Sequence, residues 1–501
     1  MNRVQFLVPL GMALCIPGTL TAQLRGSLMS EAQVGNLPFI APENLLTSMN
    51  DLRLFYNFDK LQFDLRGEIF LHQDKSVRFQ EITQRSVTYS DDEVEIRVGN
   101  SLQTLGRGLL LRSYEVPGGV FEDRVFRRRY PFYRDVDGIV AGYQSDPFSV
   151  KGLIGSPLLN SLPPDAAYED RHPELLAAVQ TEVTPVPWGS IGGIYLRRNP
   201  MKETREYASG FVSARGGGAF RAYMEYAQQL GGGNSPFSLQ DHHVHAFYGS
   251  LSVTTEVLSG SVEYKNYKNF LLGFGFNDPP PAVREHTYRT LNRSTHVADL
   301  TNEEGWQVEM LIPFVGGHSL TFNGSYALNH TVKRNEFIEL FAEAAIETGP
   351  STQAKLFIDW SQDDITLERS RWASGATVEF IPCNEISASV SGEYQQFRRM
   401  VDPVQDVRNF VLSAYVTVLS NYSLGMVVET STDPVFTDDP RTLVAETSTR
   451  SWLGIVASAN LGMHRAELFA GKRRGGPACT SGICYEVLDF EGVELRLLIT
   501  L

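Results

Sequence analysis

YEVLDFEGVELRLLITL, residues Tyr485 to Leu501, alternates apolar and polar side chains up to the final residue. Val493, Leu495, Leu497, Ile499 and Leu501 fall on one face; Gly492, Glu494, Arg496 and Thr500 fall on the other, with Leu498 the exception. Successive side chains of an extended strand point to opposite sides, so the stretch is a ribbon with one oily and one wet face. A ribbon of this kind has the form of the closing strand of a transmembrane β-barrel, one face on lipid and the other on the lumen. The usual terminal residue of such strands is aromatic, and here it is Leu501. Read alone, the stretch also fits a soluble edge strand.

The beginning of the chain points the same way. Met1 to Ala22 carries one basic residue, Arg3, then the apolar run Phe6 to Ile16, then small residues before Gln23. This is the layout of a cleavable secretory signal, which predicts residues 1–22 as signal peptide and 23–501 as one barrel domain. Lipid attachment at Cys15 is not expected, because Leu14 precedes it where a small residue is needed. Beyond the signal nothing approaches the run of about 18 apolar residues that a membrane helix requires.

The same two-residue period recurs along the chain. Leu61, Phe63, Leu65, Ile69 and Leu71 alternate with Gln62, Asp64, Arg66, Glu68 and His72, and similar runs stand at 320–329, 386–394 and 453–461. Connections are alternately tight, as at Asp59-Lys60, Asp91-Asp92, Gly216-Gly217 and Gly316-Gly317, and long, as at 102–135, 156–172, 229–242, 269–305, 431–448 and 474–484. The expected fold is therefore all-β: a closed antiparallel transmembrane barrel of about 24 strands, with short periplasmic turns and long extracellular loops, in a bacterial outer membrane. A row of β-sandwich domains would show linkers between domains and no such asymmetry of connections. The 43 Gly, 29 Phe and 20 Tyr suit strands, turns and aromatic girdles. Mean hydropathy of -0.17 is compatible with a barrel, since lumen residues dilute the lipid-facing ones. A net charge of -14 argues against nucleic-acid binding.

Two patches carry a resemblance. The segment Val98-Gly99-Asn100 through Gly106-Arg107-Gly108-Leu109 to Arg112-Ser113-Tyr114-Glu115 is one; the final hairpin, Arg473-Arg474-Gly475-Gly476 with Cys479, Cys484 and Phe490-Glu491-Gly492, is the other. Both resemble an uncharacterised, domain-of-unknown-function family of large outer-membrane β-barrels found in Bacteroidota and related bacteria. The resemblance implies a location and a fold, and brings no catalytic residues with it.

The loop 102–135 holds the candidate site, Arg107, Arg112, Arg124, Arg127, Arg128, Arg129 and Arg134, against Glu115, Glu122, Asp123 and Asp135. Folded inward, it would form a constriction in which Arg127, Arg128 and Arg129, beside Phe126, Tyr130, Phe132 and Tyr133, select ions by sign. Left outside, its arginines would pair with lipopolysaccharide phosphates or nearby acids. Inward positions on the wall, among them Asp64, Arg66, Glu68, Arg221, Glu225, Glu339, Asp359, Arg465 and Glu467, are expected to meet water or one another. Cys479 and Cys484 meet an oxidising environment after export, which favours a disulfide at the last loop and leaves Cys383 unpaired. His242, His243 and His245 are weak grounds for a metal site without a fixed spacing, and Pro279 to Pro281 suggest a stiff external loop.

No Ser/His/acid grouping stands at a predictable strand position, so neither enzymatic activity nor a cofactor is expected. The functional expectation is a monomeric, porin-like channel for small hydrophilic solutes. Its other partners would be outer-membrane lipid, lipopolysaccharide and the barrel-assembly machinery, the last through the C-terminal strand. The competing expectation is a non-conducting barrel that binds a surface partner through its loops.

Overall fold

The computed structural model describes residues 23–36, 45–122, 128–158, 171, 174–199, 203–231, 237, 243–273, 276–330, 334–349, 351–434, 449–480 and 483–501. The signal segment 1–22 lies outside them. One antiparallel sheet of 24 strands runs through the described residues in sequential order. Its first strand, Gln23–Asn36, pairs with Leu45–Phe58 on one side and with the last strand, Phe490–Thr500, on the other. That second pairing closes the sheet into a barrel and leaves no free edge.

Alternation sorts the side chains as the sequence predicts. On Leu61–His72 the side chains of Phe63, Leu65 and Leu71 are exposed outward, while Arg66 and Glu68 are buried inside. On the closing strand Val493 and Leu495 face out, whereas Glu494 and Arg496 face in and meet Arg473 and Glu31. A closed wall with an apolar outer face and a charged inner face belongs in a bilayer, because strands that pair with neighbours all the way round satisfy their backbone polar groups within the sheet. The protein is a large β-barrel of the bacterial outer membrane.

Connections are tight at the end where Gln23 lies and long at the other. The cis peptide bond Asp146-Pro147 marks one tight turn. The wall changes character between these two ends. On Ile386–Arg399 the inward residues Glu393, Gln395 and Phe397 are buried near the loop end, while Ser387, Ser389 and Ser391 are half-exposed near the turn end. On Gln405–Val418 the buried set is Val407, Asn409 and Val411, and the half-exposed set is Ser413, Tyr415 and Thr417. The loop half of the lumen is filled with protein; the turn half is a vestibule.

Candidate functional site: the loops inside the lumen

The filling begins with the segment Leu102 to Arg112. Thr104–Leu105 and Leu111–Arg112 pair as a miniature hairpin. Leu105, Leu109, Leu110 and Leu111 are fully buried in one cluster with the inward side chains Leu153, Leu176, Ile194, Leu196 and Tyr248 of the wall. Burying each leucine is worth about 1.5–3 kcal/mol. So apolar a segment is drawn onto the apolar sector of the wall and out of water.

The tip of this hairpin is Gly106-Arg107-Gly108. The Gly106 amide donates to Gln180 Oε1 at 3.0 Å, and the Arg107 amide donates to Glu225 Oε2 at 2.8 Å. Gly106 has φ +54°, and a Cβ there would sit 2.5 Å from the Glu225 carboxylate. Gly108, at φ +88°, closes the turn by donating to the Leu105 carbonyl at 2.9 Å. Glycine is needed at both places, at Gly106 for close approach as well as for conformation. The turn projects the Arg107 side chain over the Tyr223 ring, 4.9 Å from its centroid.

Arg107 stands where two lumen cavities meet. One, of about 660 Å³, is also lined by Arg112, Arg284, Tyr248, Glu263 and Glu309. The other, of about 480 Å³, opens toward the turn end and is lined by Glu182, Arg215, Arg221, Tyr223 and several serines. In the first cavity most charges are matched: Arg112 meets Asp278 at 3.0 Å and Arg284 pairs with Glu309.

The rest of loop 102–135 has another occupation. Tyr114–Glu122 and Arg129–Arg134 form a hairpin whose aromatic residues Phe121, Tyr130, Phe132 and Tyr133 are buried. Arg129 is 4 % exposed and pairs with Glu31 of the first strand. Glu115 meets Arg53 and Arg66 of the wall. Arg134 covers the Tyr114 ring at 5.2 Å, and Arg128 donates to the Ser76 carbonyl at 3.4 Å. Arg124 and Arg127 lie outside the described residues. Of the seven arginines singled out from sequence, Arg107 and Arg112 line the cavities, while Arg128, Arg129 and Arg134 hold the loop to its surroundings.

Sequence reasoning missed two further inward loops. Residues 269–273 and 276–301, expected on the outside with their proline run, lie inside: Tyr267 Oη donates to the Pro280 carbonyl at 2.7 Å, and Lys265 Nζ donates to the Pro281 carbonyl. Wall carboxylates then take up the loop residue by residue. Glu339 meets His286 at 3.2 Å, and Glu343 accepts from Tyr288 Oη at 2.5 Å. Glu393 accepts from the Thr290 amide and hydroxyl at 2.9 and 2.8 Å; Glu429 binds both Arg289 and Arg293. His296 sits between Asp363 at 2.9 Å and Glu303 at 3.2 Å, and Glu303 also pairs with Lys265. Burial opposes the charged imidazolium, but the hydrogen bonds to Asp363 and Glu303 outweigh it and raise His296 to about 9.

The third inward loop is the last one. Cys479 and Cys484 are disulfide-bonded across the hairpin Gly476–Thr480 and Ile483–Val487, and Cys383 is free and exposed. Asn292 of the second loop both donates to and accepts from the Cys479 backbone, at 2.9 and 3.0 Å. Ile483 and Tyr485 pack on the aromatic hairpin of the first loop. Three loops thus interlock. The signal available in sequence was the apolar run Leu109-Leu110-Leu111, too oily for an exposed loop. His243 and His245 are buried, with His245 beside Asn266 at 3.3 Å, and His242 lies outside the described residues. Among the described residues no group of three or more His, Cys, Asp or Glu is arranged to hold a metal ion.

Residues 16–116, about a fifth of the chain, match the model of a family of unknown function (DUF6029), a span that includes the Gly106-Arg107-Gly108 tip. No curated protein matches. Among solved structures the chain is similar to the P pilus usher (PapC) translocation pore, at 8 % identity, TM-score 0.45, over 95 % of this chain and 99 % of that one. It is similar to Pseudomonas aeruginosa OpdQ at 10 % identity, TM-score 0.42, over 75 % and 97 %. It is similar to Pseudomonas aeruginosa OccK3 (OpdO) at 12 % identity, TM-score 0.40, over 75 % and 96 %.

Proposed function

We propose that the mature chain, starting near Gln23 after loss of the signal segment, is a monomeric outer-membrane channel for small hydrophilic solutes. The observation that carries this reading is the vestibule: a lumen lined at the turn end by Ser, Thr, Tyr and charged side chains, running up to a loop tip that presents Arg107 to solvent. A wall built only to hold a plug has no need of a hydrophilic, half-exposed lining. Passage would be by diffusion or facilitated diffusion, with the three inward loops setting the bore. The reading assigns the protein no catalytic step and no cofactor. Outer-membrane lipid and lipopolysaccharide surround it, and the C-terminal strand would be what the barrel-assembly machinery engages.

A second reading has its own support. Glu31, Glu339, Glu393 and Glu429 of the wall are each taken up by a donor from a loop, which favours a filled barrel that works through its outer surface. Single-channel recording of the refolded protein in a planar bilayer separates the two. Discrete, steady conductance steps are expected. A barrel that shows heat-dependent gel mobility yet never conducts overturns the channel and leaves the surface-binding reading.

A further inference from the structure

We infer that the turn half of the lumen contains a binding site for oxyanions, the carboxylate or phosphate groups of small solutes, formed by Arg107, Arg215 and Arg221. The inference builds on the reading of the vestibule as solvent-filled and gives the channel a substrate class.

Arg215 and Arg221 are direct cross-strand partners in the pairing of Arg205–Gly216 with Phe220–Gln229. Both lie on the inward face, in register with the inward residues Phe211 and Tyr223, and both line the cavity of about 480 Å³. Like charges placed opposite one another on a sheet repel, so this pair is a cost to the bare fold. No ion pair among the described residues removes it. Neither Arg107 nor Arg221 makes an ion pair among the described residues, and Arg215 reaches only the Pro187 carbonyl, at 3.4 Å.

The carboxylates that could answer these cations are few. Glu182 is the one acid lining this cavity, against three arginines. Glu225 lies close by, but its oxygens already accept from Tyr223 Oη at 2.6 Å, Ser209 Oγ at 2.7 Å and the Arg107 amide at 2.8 Å. Its charge and that of Glu263 both act on Arg107, so the surplus of positive charge rests on Arg215 and Arg221, which have only Glu182 beside them in the cavity. Hydroxyls complete the lining. Ser252 is the cross-strand partner of Arg221, Ser250 that of Tyr223, and Ser190 and Ser213 stand 2.7 Å apart between neighbouring strands. Planar guanidinium forks with hydroxyl donors beside them suit oxyanions, which accept several charge-assisted hydrogen bonds at once. An anion bridging Arg215 and Arg221 would turn their repulsion into attraction. The tip arginine, fixed from above by the two glycines, would close the site toward the loop half.

The test is anion binding to the full mature protein in detergent, by titration calorimetry, with inorganic phosphate in one arm and succinate in the other. Saturable binding is expected in at least one arm, and the responding arm identifies the head group. The double variant R215Q/R221Q should lose about tenfold or more in affinity. R465Q, which removes a lumen arginine already paired with Glu467 at 3.0 Å, should change it less than about twofold. Absence of saturable binding in both arms, or equal losses in the double variant and R465Q, overturns the site. Planar-bilayer recording keeps this outcome apart from the channel itself. A conducting barrel that binds neither anion loses the site and keeps the channel. A barrel that never conducts but binds anions through these arginines keeps the site and loses the channel.

Discussion

The same inner wall treats arginine in two opposite ways. In the loop half, Arg293 is 16 % exposed and pairs with a Glu429 that is 4 % exposed; in the turn half, Arg215 and Arg221 face each other and open water. Buried charges persist only when paired and hydrogen-bonded, so the first arrangement is what a permanent internal contact requires. Charges left unmatched in a solvated cavity do nothing for the fold. The contrast divides the lumen into a part whose chemistry is already satisfied by the protein and a part whose chemistry is offered to something else.

The harshest way to break this division is to remove a wall carboxylate from the loop half. E429A leaves Arg289, 43 % exposed, and Arg293, 16 % exposed, without the acid they share; stranding a fully buried partner costs about 3–5 kcal/mol, and the water that reaches Arg289 holds the loss to about 3 kcal/mol. The loss should appear as earlier unfolding in denaturant and as faster proteolysis within 269–301. Unchanged stability would mean that loop and wall are not held by these pairs.

A gentler probe of the same half is pH. His296 is raised to about 9 from an ordinary value near 6.5, with Asp363 and Glu303 on its two nitrogens, Lys265 behind Glu303 and Phe337 stacked on its ring. A raised folded value means that the stabilisation is complete below about 6.5 and is lost as pH climbs through about 9, an effect of about 3 kcal/mol. Protection of residues 276–301 against proteolysis should fall between pH 7 and pH 10 in the parent protein. In H296Q that dependence should be absent; a persisting transition would assign it to another group.

The boundary between the halves is the Gly106-Arg107-Gly108 tip. G106A puts a side chain at φ +54° and against the Glu225 carboxylate, at a cost of about 1–3 kcal/mol. Because the tip carries Arg107, the substitution should shift the reversal potential in a salt gradient as well as the unfolding midpoint. A shift in stability alone would show that Arg107 lies off the path of ions.

What was legible in sequence follows from how local each signal is. Strand faces and turn asymmetry are written in neighbouring residues, so Leu61–His72 and the closing strand could be sorted correctly residue by residue, and the disulfide needed only Cys479 and Cys484 across one short loop. The inward loops depend on contacts such as Arg293 with Glu429 and Thr290 with Glu393, more than 100 positions apart. Alternation says nothing about such pairs. The arginine run near 127–129 drew attention by its density, yet Arg129 is spent on Glu31, and the open lumen is faced by the isolated Arg107, Arg215 and Arg221. Arg215 and Arg221 are symmetric about the tight turn at 217–219, which places them opposite each other, a relation as local as the strand faces.

The smallest expected effect is also the one with the opposite sign. In the loop half, removing an arginine should destabilise, because it strands a buried carboxylate. In the turn half, R221Q removes one member of a repelling cross-strand pair and strands nothing, so in anion-free, low-salt buffer it should stabilise the barrel by about 0.2–1 kcal/mol. The gain should shrink as sodium chloride is raised, since exposed charges are screened. It should reverse in saturating phosphate, which would stabilise the parent and not the variant. If R221Q instead destabilises the barrel in every buffer, Arg221 has an internal partner, and the two halves of the lumen obey one rule.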